Sequence, residues 1–114
     1  MNLEYMTYFF VITREAEACL WNERFFEDLM RAQLLSGGKL DATASTSVAA
    51  VQAAYNVKAA AIIAITTTGR TAKESSKFRP TCPIMGVTRF PQVARQMQLH
   101  RGIIPLYYPG ERRE

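Results

Sequence analysis

Residues 59–65 read AAAIIAI, an apolar run without alternation, and residues 66–71 follow directly as TTTGRT. A continuous apolar run of this kind is typical of a strand buried on both faces, and such strands belong to parallel sheets covered by helices. Residues 72–78 then predict a short helix, which ends before Arg79-Pro80. A buried strand, a polar turn and a helix in this order favour an α/β fold.

The same succession repeats further along the chain. Residues 83–87 (PIMGV) and 103–108 (IIPLYY) predict a second and a third strand, and residues 91–99 predict the helix between them. Strand, helix, strand, helix and strand indicate a parallel sheet with right-handed crossovers. With two more helices expected upstream, we predict a three-layer α/β/α domain around a small, mostly parallel sheet of three strands.

The two upstream helices are predicted from their caps and their apolar spacing. Thr13 is expected to cap a helix that starts at Arg14. The next helix is expected to start at one of three hydroxyl residues, Ser45, Thr46 or Ser47. The first helix carries two adjacent apolar rows, made of Trp21, Phe25 and Leu29 and of Cys19, Phe26 and Met30. Such a wide arc predicts a second buried face against another domain or subunit, although a thick core helix would give the same pattern.

Charge divides the chain into an acidic and a basic half. Residues 1–57 contain four Lys or Arg and seven Asp or Glu, whereas residues 58–114 contain ten and three. An excess of positive charge predicts an anionic partner for the second half, such as a small phosphorylated ligand, a nucleic acid or an acidic protein face. Because the basic residues are spread over turns and form no stripe, nucleic acid is not the expected partner.

Several site classes find little support in the sequence. Cys19 and Cys82 stand far apart without a CxxC pair, and His100 is the only histidine, so we expect no metal site and no disulfide. Two reduced thiols fit a cytoplasmic location. Residues 6–12 (MTYFFVI) are apolar but too short to span a bilayer, and no membrane association is expected.

The segment TTTGRT is the candidate binding site. Four hydroxyls, a glycine and a guanidinium fall within six residues at the predicted carboxyl end of a strand, where open α/β sheets bind ligands. Gly69 permits a close backbone approach, and the following helix offers unpaired N–H groups to an anion. Arg70 would add a charge-assisted contact. A structural alternative remains, because Thr71 and Glu74 have the spacing of a capping box.

Seven short motifs follow one another along the chain: REAEA at 14–18, FEDL at 26–29, AAAIIAITTTGRT at 59–71, KFRPTCPI at 77–84, GVTR at 86–89, QVARQ at 92–96 and RGIIP at 101–105. In this order they resemble the C-terminal, effector-binding domain of the pyruvate kinases. The resemblance covers about residues 12–108. It divides the chain into a lead-in over residues 1–12, the domain over 13–108 and a polar tail over 109–114.

The resemblance implies a function for the loop. In effector-regulated pyruvate kinases it holds one phosphate of a sugar bisphosphate such as fructose 1,6-bisphosphate, and here the matching residues are Thr66, Thr67, Thr68, Gly69, Arg70 and Thr71. Other implied partners are a second copy of the chain or full-length pyruvate kinase subunits, which the first helix would contact.

The same resemblance places the chemistry elsewhere. The family's catalytic residues and its magnesium and potassium sites lie in a barrel domain that would precede residue 13. We therefore expect no catalytic residue, metal or cofactor in this chain, and no activity from it alone. The family's domain also continues past the third strand, with a further helix and two strands that contribute to the effector site.

Overall fold

The computed structural model describes residues 2–111, so residues 112–114 of the predicted tail lie outside the described part. Five helices and three strands follow in the order α1 Leu3–Ala18, α2 Asn22–Leu35, α3 Ala42–Val57, β1 Ile62–Ile65, α4 Arg70–Lys77, β2 Ile84–Thr88, α5 Pro91–Met97 and β3 Ile103–Tyr107. The predicted α/β class and the three parallel strands are confirmed.

The sheet has the order β1-β2-β3, and both neighbouring pairs are parallel. Because both crossovers move the chain in the same direction, right-handed connections place α4 and α5 on the same face. There the helices bury a cluster made of Ala64, Ala72, Ile84, Met97 and Ile103. We call this side of the sheet the covered face.

The opposite side of the sheet is apolar and exposed. Alternation along the strands places two cross-strand rows there, Ile63–Met85–Ile104 and Ile65–Val87–Leu106. Ile63 is 69% exposed and Ile65 is 84% exposed, so the expectation that β1 is buried on both faces is wrong. The physical reason is the common direction of the two crossovers. We call these six residues the open face.

A second cluster joins α2 and α3 to the helical layer. Phe26 of α2 packs against Val51 of α3 and against Phe78, which follows α4. Leu29 and Met30 are partly buried beside them. Members of both predicted rows therefore face the core, while Cys19 and Trp21, which precede α2, are exposed.

The helices upstream of the sheet differ from the prediction: the predicted first helix is two helices, α1 and α2, separated by residues 19–21, and the starts of two helices are displaced. α1 begins at Leu3 and runs through position 13, where the Thr13 hydroxyl donates to the carbonyl oxygens of Phe9 and Phe10, so Thr13 is not a cap. Residues 3–12 contain no glycine or proline, and the helix therefore continues upstream to the Asn2 cap.

The three hydroxyl residues proposed as caps of α3 lie inside that helix, and Asp41 is its N-cap. The Asp41 carboxylate accepts a hydrogen bond from the Ala44 N–H at 2.8 Å. Alanine at positions 42 and 44 favours helix, so the helix extends back to the nearest strong cap.

Candidate anion-binding site

The six predicted site residues lie together where β1 gives way to α4. Thr66, Thr67, Thr68 and Gly69 form the loop, and Arg70 and Thr71 are the first residues of the helix. Thr66 and Gly69 are buried, whereas the side chains of Thr67 and Thr68 are exposed. The loop therefore presents two hydroxyl side chains and a guanidinium at the carboxyl edge of the sheet.

The turn is fixed by one buried hydroxyl and one glycine. Thr66 Oγ1 accepts a hydrogen bond from the Gly69 N–H at 2.9 Å, which closes the loop on itself. Gly69 has a φ of +82°, in the left-handed region that glycine tolerates best. A Cβ at this position would lie 3.2 Å from Met97 Cγ and 3.3 Å from Val93 Cγ1. Both the conformation and the packing against α5 thus require glycine.

The N-terminus of α4 carries little capping of its own. Gly69 is the N-cap and brings no side-chain acceptor to the first turn. Thr68 Oγ1 accepts from the Arg70 N–H at a long 3.4 Å. The positive end of the helix dipole is therefore left for an outside anion to neutralise.

The alternative reading of Thr71 and Glu74 as a capping box is wrong. Gly69 is the N-cap, which places Thr71 inside the helix. The Thr71 carbonyl accepts from Ser75 Oγ at 2.9 Å, and the Glu74 carboxylate lies 3.6 Å from Lys77 Nζ. Neither residue caps the helix.

Arg70 forms an ion pair with Asp41, a residue that sequence reasoning did not place in the site. The helices α3 and α4 run parallel, because the first half of α3 contacts the start of α4 and the end of α3 contacts the residues that follow α4. Ser47 reaches the Thr71 carbonyl at 3.5 Å and Tyr55 reaches the Arg79 carbonyl at 2.9 Å. Both helix N-termini therefore lie at the same edge. Both charged side chains are about half exposed, so water weakens the pair.

A surface cleft of about 600 Å³ adjoins the loop, between α4 and the end of α5. Its lining includes Thr68, Gly69, Arg70, Lys73, Gln96 and His100. Lys73 lies one helical turn after Gly69, which places it beside the loop. It was missing from the predicted site, although its spacing from Gly69 can be read from the sequence. The cleft adds the side-chain nitrogens of Lys73, Gln96 and His100 to the surroundings of the loop.

Fold and loop together define a class: an α/β domain with a candidate anion-binding turn at the carboxyl edge of a parallel sheet. The family model described as pyruvate kinase, alpha/beta domain, matches residues 44–114. The chain belongs to this family.

Three relatives illustrate the similarity. Pyruvate kinase PKLR of Homo sapiens is 48% identical over 97 residues, which are 85% of this chain and 16% of that protein. Pyruvate kinase 1 of Saccharomyces cerevisiae is 44% identical over 101 residues, 89% of the chain and 19% of the relative. Pyruvate kinase of Schizosaccharomyces pombe is 38% identical over 109 residues, which are 96% of this chain and 21% of that protein. The chain thus spans about a fifth or less of the length of these relatives.

Two further observations concern residues 2–111. No group of three or more His, Cys, Asp or Glu side chains in this range is arranged to hold a metal ion. No helix in the same range combines the length and the apolar character needed to cross a membrane.

Proposed function

We propose that this chain is a regulatory domain of a pyruvate kinase and that its loop Thr66, Thr67, Thr68, Gly69, Arg70 and Thr71 binds a phosphate group of a sugar-phosphate effector. The single observation that carries the proposal is the uncapped start of α4, with Arg70 in its first turn and two exposed hydroxyls before it. Fructose 1,6-bisphosphate is the ligand that the family resemblance implies.

The proposed whole enzyme transfers a phosphoryl group from phosphoenolpyruvate to ADP in glycolysis, with magnesium and potassium, in the cytoplasm. Relatives named as pyruvate kinases support the family reaction, which belongs to the full-length proteins. The division into a lead-in, a domain at residues 13–108 and a tail is part of the same proposal. By itself the chain is proposed to bind the effector without turning over substrate.

Asp41 is the internal competitor in this proposal. Its carboxylate forms an ion pair with the Arg70 guanidinium. A phosphate that contacts Arg70 must share or displace that carboxylate, so the local negative charge lowers affinity for an anion. Arg70 and Asp41 therefore have opposite expected effects on binding.

The test is calorimetric titration with fructose 1,6-bisphosphate, and with inorganic phosphate as the minimal anion. Arg70→Ala should weaken binding by about 1–3 kcal/mol, the scale of a lost charge-assisted contact. Asp41→Asn keeps an N-cap acceptor for the Ala44 N–H and removes the charge, so it should bind more tightly than the unmodified chain. Absence of binding at millimolar ligand, or an unchanged affinity in Arg70→Ala, would contradict the proposal.

A second candidate is an interaction domain that associates with itself or with full-length pyruvate kinase subunits through its predicted first helix. It is favoured by the exposure of Trp21, the residue just before α2, and of Phe25 within it, at 71% and 41%. Trp21→Ala should then reduce co-elution with a full-length subunit. An unchanged co-elution profile would argue against this candidate.

A further inference from the structure

Two basic side chains stand near the start of α4, and they differ in their carboxylate partners. Arg70 is paired with Asp41, at the start of α3. Lys73 forms no ion pair with another of the residues 2–111. Because Asp41 offsets the charge of Arg70, the net positive charge beside the loop comes from Lys73.

Helix geometry directs Lys73 toward the loop. Its N–H donates to the Gly69 carbonyl at 3.0 Å, so its side chain lies one turn along the helix on nearly the same face as Gly69. The Cα–Cβ bonds of a helix lean toward its N-terminus. The flexible four-carbon stem of Lys73 can therefore carry the ammonium group back to the turn that holds Gly69 and Arg70.

The two basic side chains are neighbours on the surface of α4. Around the helix axis Lys73 is about 40° from Gly69 and about 60° from Arg70, so it lies between them. Like charges at this spacing repel each other. An anion at the helix N-terminus can contact both side chains at once, and it then replaces their repulsion by two attractions.

The cleft between α4 and α5 contains one carboxylate, that of Glu74. Its Oε2 lies 3.6 Å from Lys77 Nζ, in the last turn of the helix. Lys77 therefore balances the charge of Glu74, and the positive charge of Lys73 remains available to a ligand.

The cleft is larger than one phosphate group. Its volume of about 600 Å³ equals that of about twenty water molecules in the liquid. On the side of α5 it is lined by Gln96, Leu99 and His100. A phosphate ester held at the loop thus has space for its carbon skeleton between the helices, where the Gln96 amide and the His100 ring can form hydrogen bonds with hydroxyl groups.

We propose that Lys73 is a second cationic contact for the phosphate, and that the rest of the phosphate ester lies in the cleft between α4 and α5. This inference rests on the proposed function, because it concerns the ligand bound at the loop of residues 66–71. It adds a specificity-determining residue outside that loop and a direction for the ligand.

The first test is calorimetric titration of the full chain with inorganic phosphate. Lys73→Gln should weaken binding roughly tenfold, the scale of a lost charge-assisted hydrogen bond. Lys73→Arg keeps the charge and should stay within about threefold of the unmodified chain. Lys73 is exposed, so both variants should keep the fold, as checked by circular dichroism.

Lys58→Gln is the matched control, because it removes the same charge from an exposed position. Lys58 follows α3 at the end opposite Asp41, about 25 Å away along that helix. This distance exceeds the screening length of about 8 Å at physiological salt. Lys58→Gln should therefore leave the affinity for phosphate unchanged.

The second test compares inorganic phosphate with fructose 1,6-bisphosphate. Gln96→Ala removes an amide from the cleft, so it should weaken binding of the sugar phosphate roughly fivefold and leave binding of inorganic phosphate unchanged. Gln92→Ala is the control, at an exposed glutamine of α5 that does not line the cleft. It should change neither affinity.

The outcomes separate this inference from the proposed function. If Arg70→Ala weakens phosphate binding while Lys73→Gln behaves like Lys58→Gln, the loop binds the anion without Lys73 and the inference is wrong. It is also wrong if Gln96→Ala weakens both ligands equally or neither of them, because the carbon skeleton then lies outside the cleft. If the unmodified chain binds neither ligand, the inference and the proposed function fail together.

Discussion

The covered face and the open face of the sheet are built from the same residue types and lie in opposite environments. Ile84 on β2 is 1% exposed, whereas Ile65 on the neighbouring strand is 84% exposed. The difference comes from the connections, because two right-handed crossovers in the same direction leave one face without helices. An apolar run therefore indicates a strand, while the path of the chain decides which of its faces is buried.

The largest test of this comparison replaces one isoleucine on each face. Ile84→Ala should lower the free energy of unfolding by about 2–5 kcal/mol, because it leaves a cavity among buried side chains. Ile65→Ala removes the same atoms from an exposed position and should change it by about 0.5 kcal/mol or less. Urea denaturation, at a protein concentration too low for self-association, measures the change in the free energy of unfolding for each variant. Equal losses in the two variants would mean that the open face is covered within one chain.

A second test fills space on the covered face. A Cβ on Gly86 would lie 2.7 Å from Met97 Sδ and 3.0 Å from Met97 Cε, and Met97 is only 2% exposed. Gly86→Ala should therefore destabilise the chain by about 1–3 kcal/mol through overpacking. Gly38→Ala is the control, since its nearest atom would be Ser36 Oγ at 3.7 Å. If Gly86→Ala melts at the same temperature as the unmodified chain, the space beside Met97 is larger than its contacts indicate.

The strands and their parallel arrangement could be predicted because each strand is a short apolar run between turn residues, and this information is local. The position of the Thr66 loop followed for the same reason. The exposure of Ile63 and Ile65 could not be predicted in this way, since it depends on where α4 and α5 pack. The sequence alone gave no measure of that packing.

The candidate site was predictable in part for a related reason. Gly69 and Arg70 are adjacent to the strand, so their placement needed only local pattern. Asp41 lies 29 positions from Arg70, and it reaches the guanidinium only because α3 packs parallel to α4. A pairing of this kind depends on tertiary structure and leaves no spacing to recognise.

The helical layer of the covered face can be tested at its far end through Tyr55, whose hydroxyl donates to the Arg79 carbonyl at 2.9 Å. Tyr55→Phe should lower the free energy of unfolding by about 1 kcal/mol, because it removes this hydrogen bond. Burial raises the pKa of Tyr55, and the Glu23 carboxylate and the Cys82 thiol add to the increase. The folded state therefore holds this proton more tightly than the unfolded state.

The sign of the pH dependence follows from that difference. The contribution of Tyr55 to stability is complete below its unfolded pKa of about 10 and is lost as pH rises from there through the folded pKa. Urea denaturation at pH 8 and above pH 10 should show a smaller loss in Tyr55→Phe than in the unmodified chain. Tyr107→Phe, at an exposed tyrosine, is the control. If Tyr55→Phe and the unmodified chain have the same pH profile, Tyr55 is not the source of the stability lost at high pH.

The smallest effect is expected where α1 meets the sheet domain. Glu17 and Arg101 form an ion pair at 2.8 Å, but their side chains are 54% and 47% exposed, so solvent and salt screen the pair. Glu17→Gln should change the free energy of unfolding by about 0.5 kcal/mol or less, and added salt should erase the difference. A loss above about 1 kcal/mol would show that this pair anchors α1.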